Sequence, residues 1–402
     1  MKSNFRRKIL KNGMTVLFEK RNLPVISVAF AVRAGGINEN LSEKGISHFI
    51  EHMLYKGTSK RDAKKIAEEI EKNGGELNGF TSEIITAYFC RMPSDKLKIA
   101  LEVLSDLVKN PLLDEKELEK EKKIIFEEIK MYHDNPRLHV LDEIQKSLYD
   151  GTMGVNLTGT YATMTSITKE KMIDKFKEIY QPNNLIFCVV GDADFNKLVK
   201  FCEENFSNEK GSVPVQKFGL KNESRIEKRK GIDQANLVFA YHVPLVGDKK
   251  HFAAQVLSTL MAEGLSSRLF NEIREKRNLA YAIQGNSVTT KDFAFNLIYA
   301  GTMKENVDKV KKLILKEFED VANNLDEKEL NEVKEQMVGN YRIGMEDSQA
   351  QMVNLLSYEI DGDAEEFYEF GKKISEVKLE NVKELAKNAQ DKFSFFALVP
   401  ED

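Results

Sequence analysis

The hexapeptide Leu-Asp-Glu-Lys-Glu-Leu occurs twice, at Leu113–Leu118 and at Leu325–Leu330, an offset of 212 residues in a chain of 402. Internal duplication is the economical explanation, and a duplicated chain of this length must bury two cores rather than one. The competing explanation is chance recurrence of a Lys/Glu-rich string in a chain that is 31% charged. Both halves run strand, helix, Gly-rich turn, strand, helix, which favours duplication. In the first half, strand patterns cover Met14–Phe18 and Val25–Val32, and a third covers residues 84–91. A helical pattern from Lys60 to Lys72 stops at Asn73-Gly74-Gly75, helices dominate from Asp95 to Leu148, and a last strand covers Leu185–Val190. Residues 207–224 are polar and read as a linker, and a second strand set begins at Leu237. The expected organisation is one domain over residues 1–206, the linker at 207–224, and a sibling domain over 225–402.

The chemistry concentrates in His48-Phe49-Ile50-Glu51-His52. Residues four apart share a face of an α-helix, so His48 and His52 can address one ion, with Glu51 within reach of a water on it. The order H-x-x-E-H reverses the better-known H-E-x-x-H. A catalytic zinc needs three protein ligands and an open position. The acidic helix over residues 114–133 is the best source of the third. Glu121 and Glu128 lie two turns apart on one face of it, so one can bind metal while the other steadies a ligand. Glu127 competes on composition, but sits off that face. At the duplication offset Glu121 becomes Val333 and Glu128 becomes Asn340, and the second half has no H-x-x-E-H. One half is a metal site, the other its degenerate sibling.

The set His48, Glu51, His52 followed by Glu-x6-Glu at Glu121 and Glu128 resembles the pitrilysin-like metallopeptidases, inverzincins that include insulin-degrading enzyme and the mitochondrial processing peptidases. The resemblance spans the whole chain. It implies an α+β fold of two homologous domains, each a mostly antiparallel sheet packed against helices. It also implies zinc held by His48, His52 and Glu128, with Glu121 supporting the site and Glu51 acting as general base on a zinc-bound water. The segment Glu76-Leu77-Asn78-Gly79-Phe80-Thr81-Ser82 resembles the family's edge-strand motif, so Asn78, Gly79 and Phe80 are expected to hold peptide substrates by strand addition. On the residues alone it is equally an Asn-Gly turn into a strand. Arg274 and Tyr281 resemble the Arg-x6-Tyr pair that relatives send to the active site, where a cation and a phenol suit a developing oxyanion. Arg268 and Arg277 are nearby rivals that only the family spacing demotes.

The resemblance thus implies a zinc endopeptidase of unfolded peptides. The alternatives are a processing peptidase acting on N-terminal targeting segments and a non-catalytic scaffold subunit. Larger relatives join two such half-units in one chain, so a homodimer is expected here, with Arg274 and Tyr281 supplied in trans. Composition narrows the partners further. The net charge is −4 with interleaved Lys and Glu and no basic tract, which argues against nucleic acid. No stretch approaches 18 consecutive apolar residues and no apolar run follows the basic amino end, so no membrane contact and a cytoplasmic location are expected. Cys90, Cys188 and Cys202 are too scattered for a disulfide framework. His133, His139, His242 and His251 stand at no ligand spacing to one another and read as structural or surface residues.

Overall fold

The longest apolar runs become the middle strands of two sheets. A computed structural model describes residues 4–401. The first sheet contains β1 (Phe5–Ile9), β2 (Thr15–Lys20), β3 (Val25–Val32), β4 (Glu76–Thr81), β5 (Thr86–Pro93) and β6 (Leu185–Gly191), in the spatial order β1-β2-β6-β3-β5-β4. β3 and β6 are buried almost throughout, as expected of strands covered on both faces. The second sheet contains β7 (Ser224–Arg229), β8 (Ala235–His242), β9 (Ala280–Thr289), β10 (Ala294–Thr302) and β11 (Ser394–Pro400), in the order β7-β11-β8-β10-β9.

The two sheets share one topology. β2 pairs parallel with β6, and the run β6-β3-β5-β4 is antiparallel; β7 pairs parallel with β11, and the run β11-β8-β10-β9 is antiparallel. Strand for strand, the second sheet repeats the first without β1. The repeated hexapeptide opens equivalent helices, α4 (Glu115–Asp134) in the first half and Glu327–Gly344 in the second. The α+β class and the duplicated architecture agree with the sequence reading.

The compact units are not the linear halves. One comprises residues 1–129, 155–217 and 344–368, the other 130–154, 218–343 and 369–402. α5 (Pro136–Leu148) follows the first repeat in sequence but packs on β8 and β11; Arg225 Nη2 of β7 donates to Glu143 O at 2.8 Å and Ser394 Oγ of β11 to Ser147 O at 2.8 Å. Its counterpart, Ser348–Asp361, packs on β3 and β6. Domain limits of 1–206 and 225–402 therefore place these two helices with the wrong sheets. Each is seated by long-range polar contacts that local patterning does not reveal. Between 207 and 223 the chain forms no helix or strand, and it passes from the first unit to the second at residue 218.

Helix α1 (Ile46–Leu54) lies against β4 and β5, and α3 (Leu97–Lys109) covers β3 and β5. Between them in sequence, α2 (Ala63–Glu71) ends before Gly74, whose φ of +77° suits only glycine at low cost. Among the described residues no helix is long and apolar enough to cross a membrane.

The helix Ser348–Asp361 is fastened to the first unit by Glu359, only 1% exposed, which accepts from Arg7 Nε at 2.7 Å, Arg7 Nη2 at 2.9 Å and Arg33 Nη2 at 2.8 Å. Removing one partner from such a buried pair strands the other charges. Glu359→Ala is expected to cost about 3 kcal/mol in urea unfolding, and a loss below about 0.5 kcal/mol, the scale of a surface change, would contradict this seating.

Candidate metal centre

Helix α1 starts on a glycine because nothing else fits. Gly45 has φ +94°, and a Cβ there would lie 2.5 Å from Met164 Cε and 2.7 Å from Thr158 O. The first free N–H groups of the helix are met by Glu39, which accepts from Gly45 N at 2.8 Å and Ser47 N at 2.6 Å. A carboxylate at this end also opposes the helix dipole favourably. Beside it lies Lys44, wholly buried, with Nζ 3.2 Å from Glu83, 3.9 Å from Glu39, and donating to Gly36 O at 3.0 Å. Burial pushes the Glu39 carboxyl up to about 7, against the pull of Lys44 and the two N–H groups. Phe49, Ile50, Met53 and Leu54 bury the apolar side of α1. The rotation that this anchoring imposes turns His48 and His52 toward α4 and Glu51 toward β4.

On α4, Glu128 meets both imidazoles: its Oε2 is 3.5 Å from His48 Nε2 and 3.7 Å from His52 Nε2. Ligand atoms of the three residues all lie within 4.8 Å of one another, and no other group of three such residues is found among the described residues. Two ligands on one tetrahedral ion with bonds near 2 Å stand about 3.3 Å apart, and each of the two Glu128–imidazole distances is within a few tenths of an ångström of that. Glu121, one of the few buried residues of α4, places Oε2 3.2 Å from His52 Nδ1, and its Oε1 pairs with Lys56 Nζ at 2.6 Å. With Glu121 Oε2 beside Nδ1, Nε2 is the ring nitrogen of His52 that is left to face Glu128.

Electrostatics favour neutral imidazole at His48. Burial, with His52 nearby, pulls its pKa down to about 3. Burial also raises the Glu128 carboxyl, with His52 opposing, and raises that of Glu51 against His52 and Thr81. Two imidazoles and one carboxylate make a borderline-soft donor set that suits zinc better than calcium or magnesium. Glu51 takes no part in the cluster itself; its Oε2 accepts from Thr81 Oγ1 at 3.4 Å.

Asn78, Gly79 and Phe80 lie within β4, not in a turn, and β4 is the sheet edge, paired only with β5. Its outer edge faces no other strand among the described residues, and there the Gly79 N–H is met by Asn78 Oδ1 at 2.8 Å. A Cβ on Gly79 would sit 2.1 Å from the Tyr55 hydroxyl and 3.1 Å from Glu51 Oε1, so glycine lets this edge run directly over Glu51. Glu127 is exposed, as its rotation off the ligand face requires.

Arg274 and Tyr281 belong to the second unit. Arg274 closes a π-helical turn, Phe270–Glu275, with its guanidinium 4.8 Å over the Phe270 ring. Tyr281 is on β9 and 48% exposed, its ring lying where a Gly301 side chain would be. The rivals are engaged elsewhere: Arg268 pairs with Glu329 at 2.6 Å and also with Asp320, and Arg277 pairs with Glu272. His133 and His139, six residues apart, have ring centroids 5.2 Å apart, and His139 Nε2 is 2.7 Å from Glu227. His242 Nε2 and His251 Nδ1 each bond a backbone carbonyl, Lys221 O and Asp248 O respectively.

Lys56, Thr81, Tyr55 and the Glu39–Lys44–Glu83 cluster were not singled out by sequence reasoning. Lys56 and Tyr55 carried a usable signal, each standing four residues beyond a site residue, His52 and Glu51 respectively.

Comparison with known proteins identifies the family. The family described as Insulinase (Peptidase family M16) matches residues 15–160, which include the whole cluster, and the Peptidase M16 inactive domain matches residues 166–337. An uncharacterized zinc protease of Rickettsia felis is 33% identical over 355 residues, 86% of this chain and 85% of that protein. One from Bacillus subtilis is 31% identical over 353 residues, 86% of each chain. The crystal structure of a protease from Helicobacter pylori has the same fold, with a TM-score of 0.91 and 22% identity over 99% of this chain and 100% of that one. The chain belongs to the pitrilysin-like M16 peptidase family.

Proposed function

We propose that this chain is a zinc-dependent endopeptidase of unfolded peptides. The observation that carries the reading is the convergence of His48, His52 and Glu128 beside Glu51, with an open strand edge running over that glutamate. When bound, zinc supplies Lewis acidity toward water and the scissile carbonyl. The chain's own residues do the rest. Glu121 fixes the His52 tautomer, the outer edge of β4 at Asn78, Gly79 and Phe80 pairs with the peptide backbone, and Glu51 takes a proton from the attacking water and passes it to the leaving amine.

Arg274 and Tyr281 complete the proposal as donors to the substrate backbone and the developing oxyanion, supplied by the second subunit of a homodimer. Their support is the family spacing together with the rivals' engagement in ion pairs. A scaffold role would leave the intact donor set without a purpose.

Chelation is expected to abolish cleavage of a fluorogenic peptide and zinc to restore it. Glu51→Gln should keep its zinc and lose at least about a hundredfold in kcat; near-normal turnover would remove Glu51 as the base. Measured by elemental analysis and chelator competition, Glu128→Ala should lose most of its zinc and Glu121→Ala should bind about 10–100-fold more weakly, whereas Glu127→Ala should match the parent. Mixing Glu51→Gln chains with Arg274→Ala chains should recover activity at one of two sites if the pair acts in trans, and no recovery counts against it.

A further inference from the structure

Tyr55 follows α1 immediately and lies one turn beyond Glu51. Its hydroxyl is buried and has no hydrogen-bond partner among the described residues. Buried hydroxyls are rarely left so, because the lost water is not replaced. The nearest phenol does not satisfy it: the Tyr88 ring is 5.9 Å away, and its hydroxyl is already joined to Tyr180 at 2.7 Å. Two acceptors stand close by, Ala87 O and Glu51 Oε1, 2.9 and 3.1 Å from the point where a Gly79 Cβ would be. The point where a Gly79 Cβ would stand is 2.1 Å from the Tyr55 hydroxyl and 3.1 Å from Glu51 Oε1, so phenol and carboxylate face each other across a gap that glycine keeps clear. Glu51 Oε2 is the oxygen that Thr81 holds, which leaves Oε1 toward the phenol. Burial, reinforced by Glu51, holds the Tyr55 phenol well above its ordinary pKa, so it keeps its proton to donate.

We propose that Tyr55 is a positioning residue for Glu51: its hydroxyl donates to Oε1, directly or through one water lodged between them, while Thr81 holds Oε2. Two donors from two elements, the end of α1 and the end of β4, then fix the carboxylate plane toward the attacking water. Gly79 serves the arrangement twice, giving room to the hydroxyl and bringing the substrate edge over the same carboxylate. The proposal rests on Glu51 as the base. A purely structural Tyr55 makes a different claim, because a phenylalanine would fill the same space without an unpaired hydroxyl.

The test compares zinc-loaded parent, Tyr55→Phe, Glu51→Gln and the double variant on a fluorogenic peptide, with zinc content and thermal unfolding measured on each. Tyr55→Phe is expected to lower kcat about tenfold, as loss of a hydrogen bond to a charged group does. KM should stay within about twofold, with full zinc and an unchanged or higher Tm. In the Glu51→Gln background the same substitution should change the residual rate by less than about twofold, since the two act as a unit. An unaltered kcat in Tyr55→Phe, a loss that follows zinc content or Tm, or an equal loss in the Glu51→Gln background overturns the proposal. An active Glu51→Gln instead overturns the base assignment, whatever Tyr55→Phe does.

Discussion

One imidazole between two carboxylates organises this protein. His52 gives Nδ1 to Glu121 and turns Nε2 toward Glu128, and both glutamates come from a single face of α4. Lys56, one turn further along the chain, supplies Glu121 with a counter-charge. Helical periodicity thus acts on both sides: three and four residues separate the groups on α1, seven the pair on α4. A shift of either helix by one residue would turn the acids away, so the packing that fixes the two rotations is as necessary as the donors.

That packing is strengthened where α1 begins. A buried lysine and two buried glutamates lie at the amino end of the helix, and Glu39 takes up its free N–H groups. Apolar residues of the same volume would stabilise the fold as well or better, since desolvating charges costs about as much as pairing returns. What the charges add is direction. Hydrogen bonds to Gly45 and Ser47 set the helix along one axis, and no apolar contact specifies that as tightly. At the other end of α1, Tyr55 and Gly79 continue the same logic toward Glu51.

The sequence disclosed what depends on short range. H-x-x-E-H, the Glu-x6-Glu spacing and the repeated hexapeptide are local, and the structure places each on a helix as its pattern demands, whereas the strand containing Asn78 and Gly79 followed from the resemblance alone, its residues reading equally as a turn. It did not disclose what depends on partners distant in the chain. α5 and Ser348–Asp361 each carry an apolar face that fits any sheet. Which sheet they join is decided by contacts such as Arg7 and Arg33 with Glu359, more than 300 residues apart. Glu39 lies seven residues before α1, outside the usual capping position, and so gave no sign of its role. Lys44 reads as surface charge in a Lys-rich chain and is entirely buried. Polar residues drawn into the interior for one geometric task are invisible to periodicity.

Whether His48, His52 and Glu128 hold one zinc is decided by X-ray absorption at the zinc edge, on protein loaded with one equivalent. Two imidazole scatterers and light oxygen ligands at about 2.0–2.2 Å are expected, with no sulfur, in a four- or five-coordinate shell. A shell containing sulfur, or one with fewer than two imidazoles, would contradict that assignment.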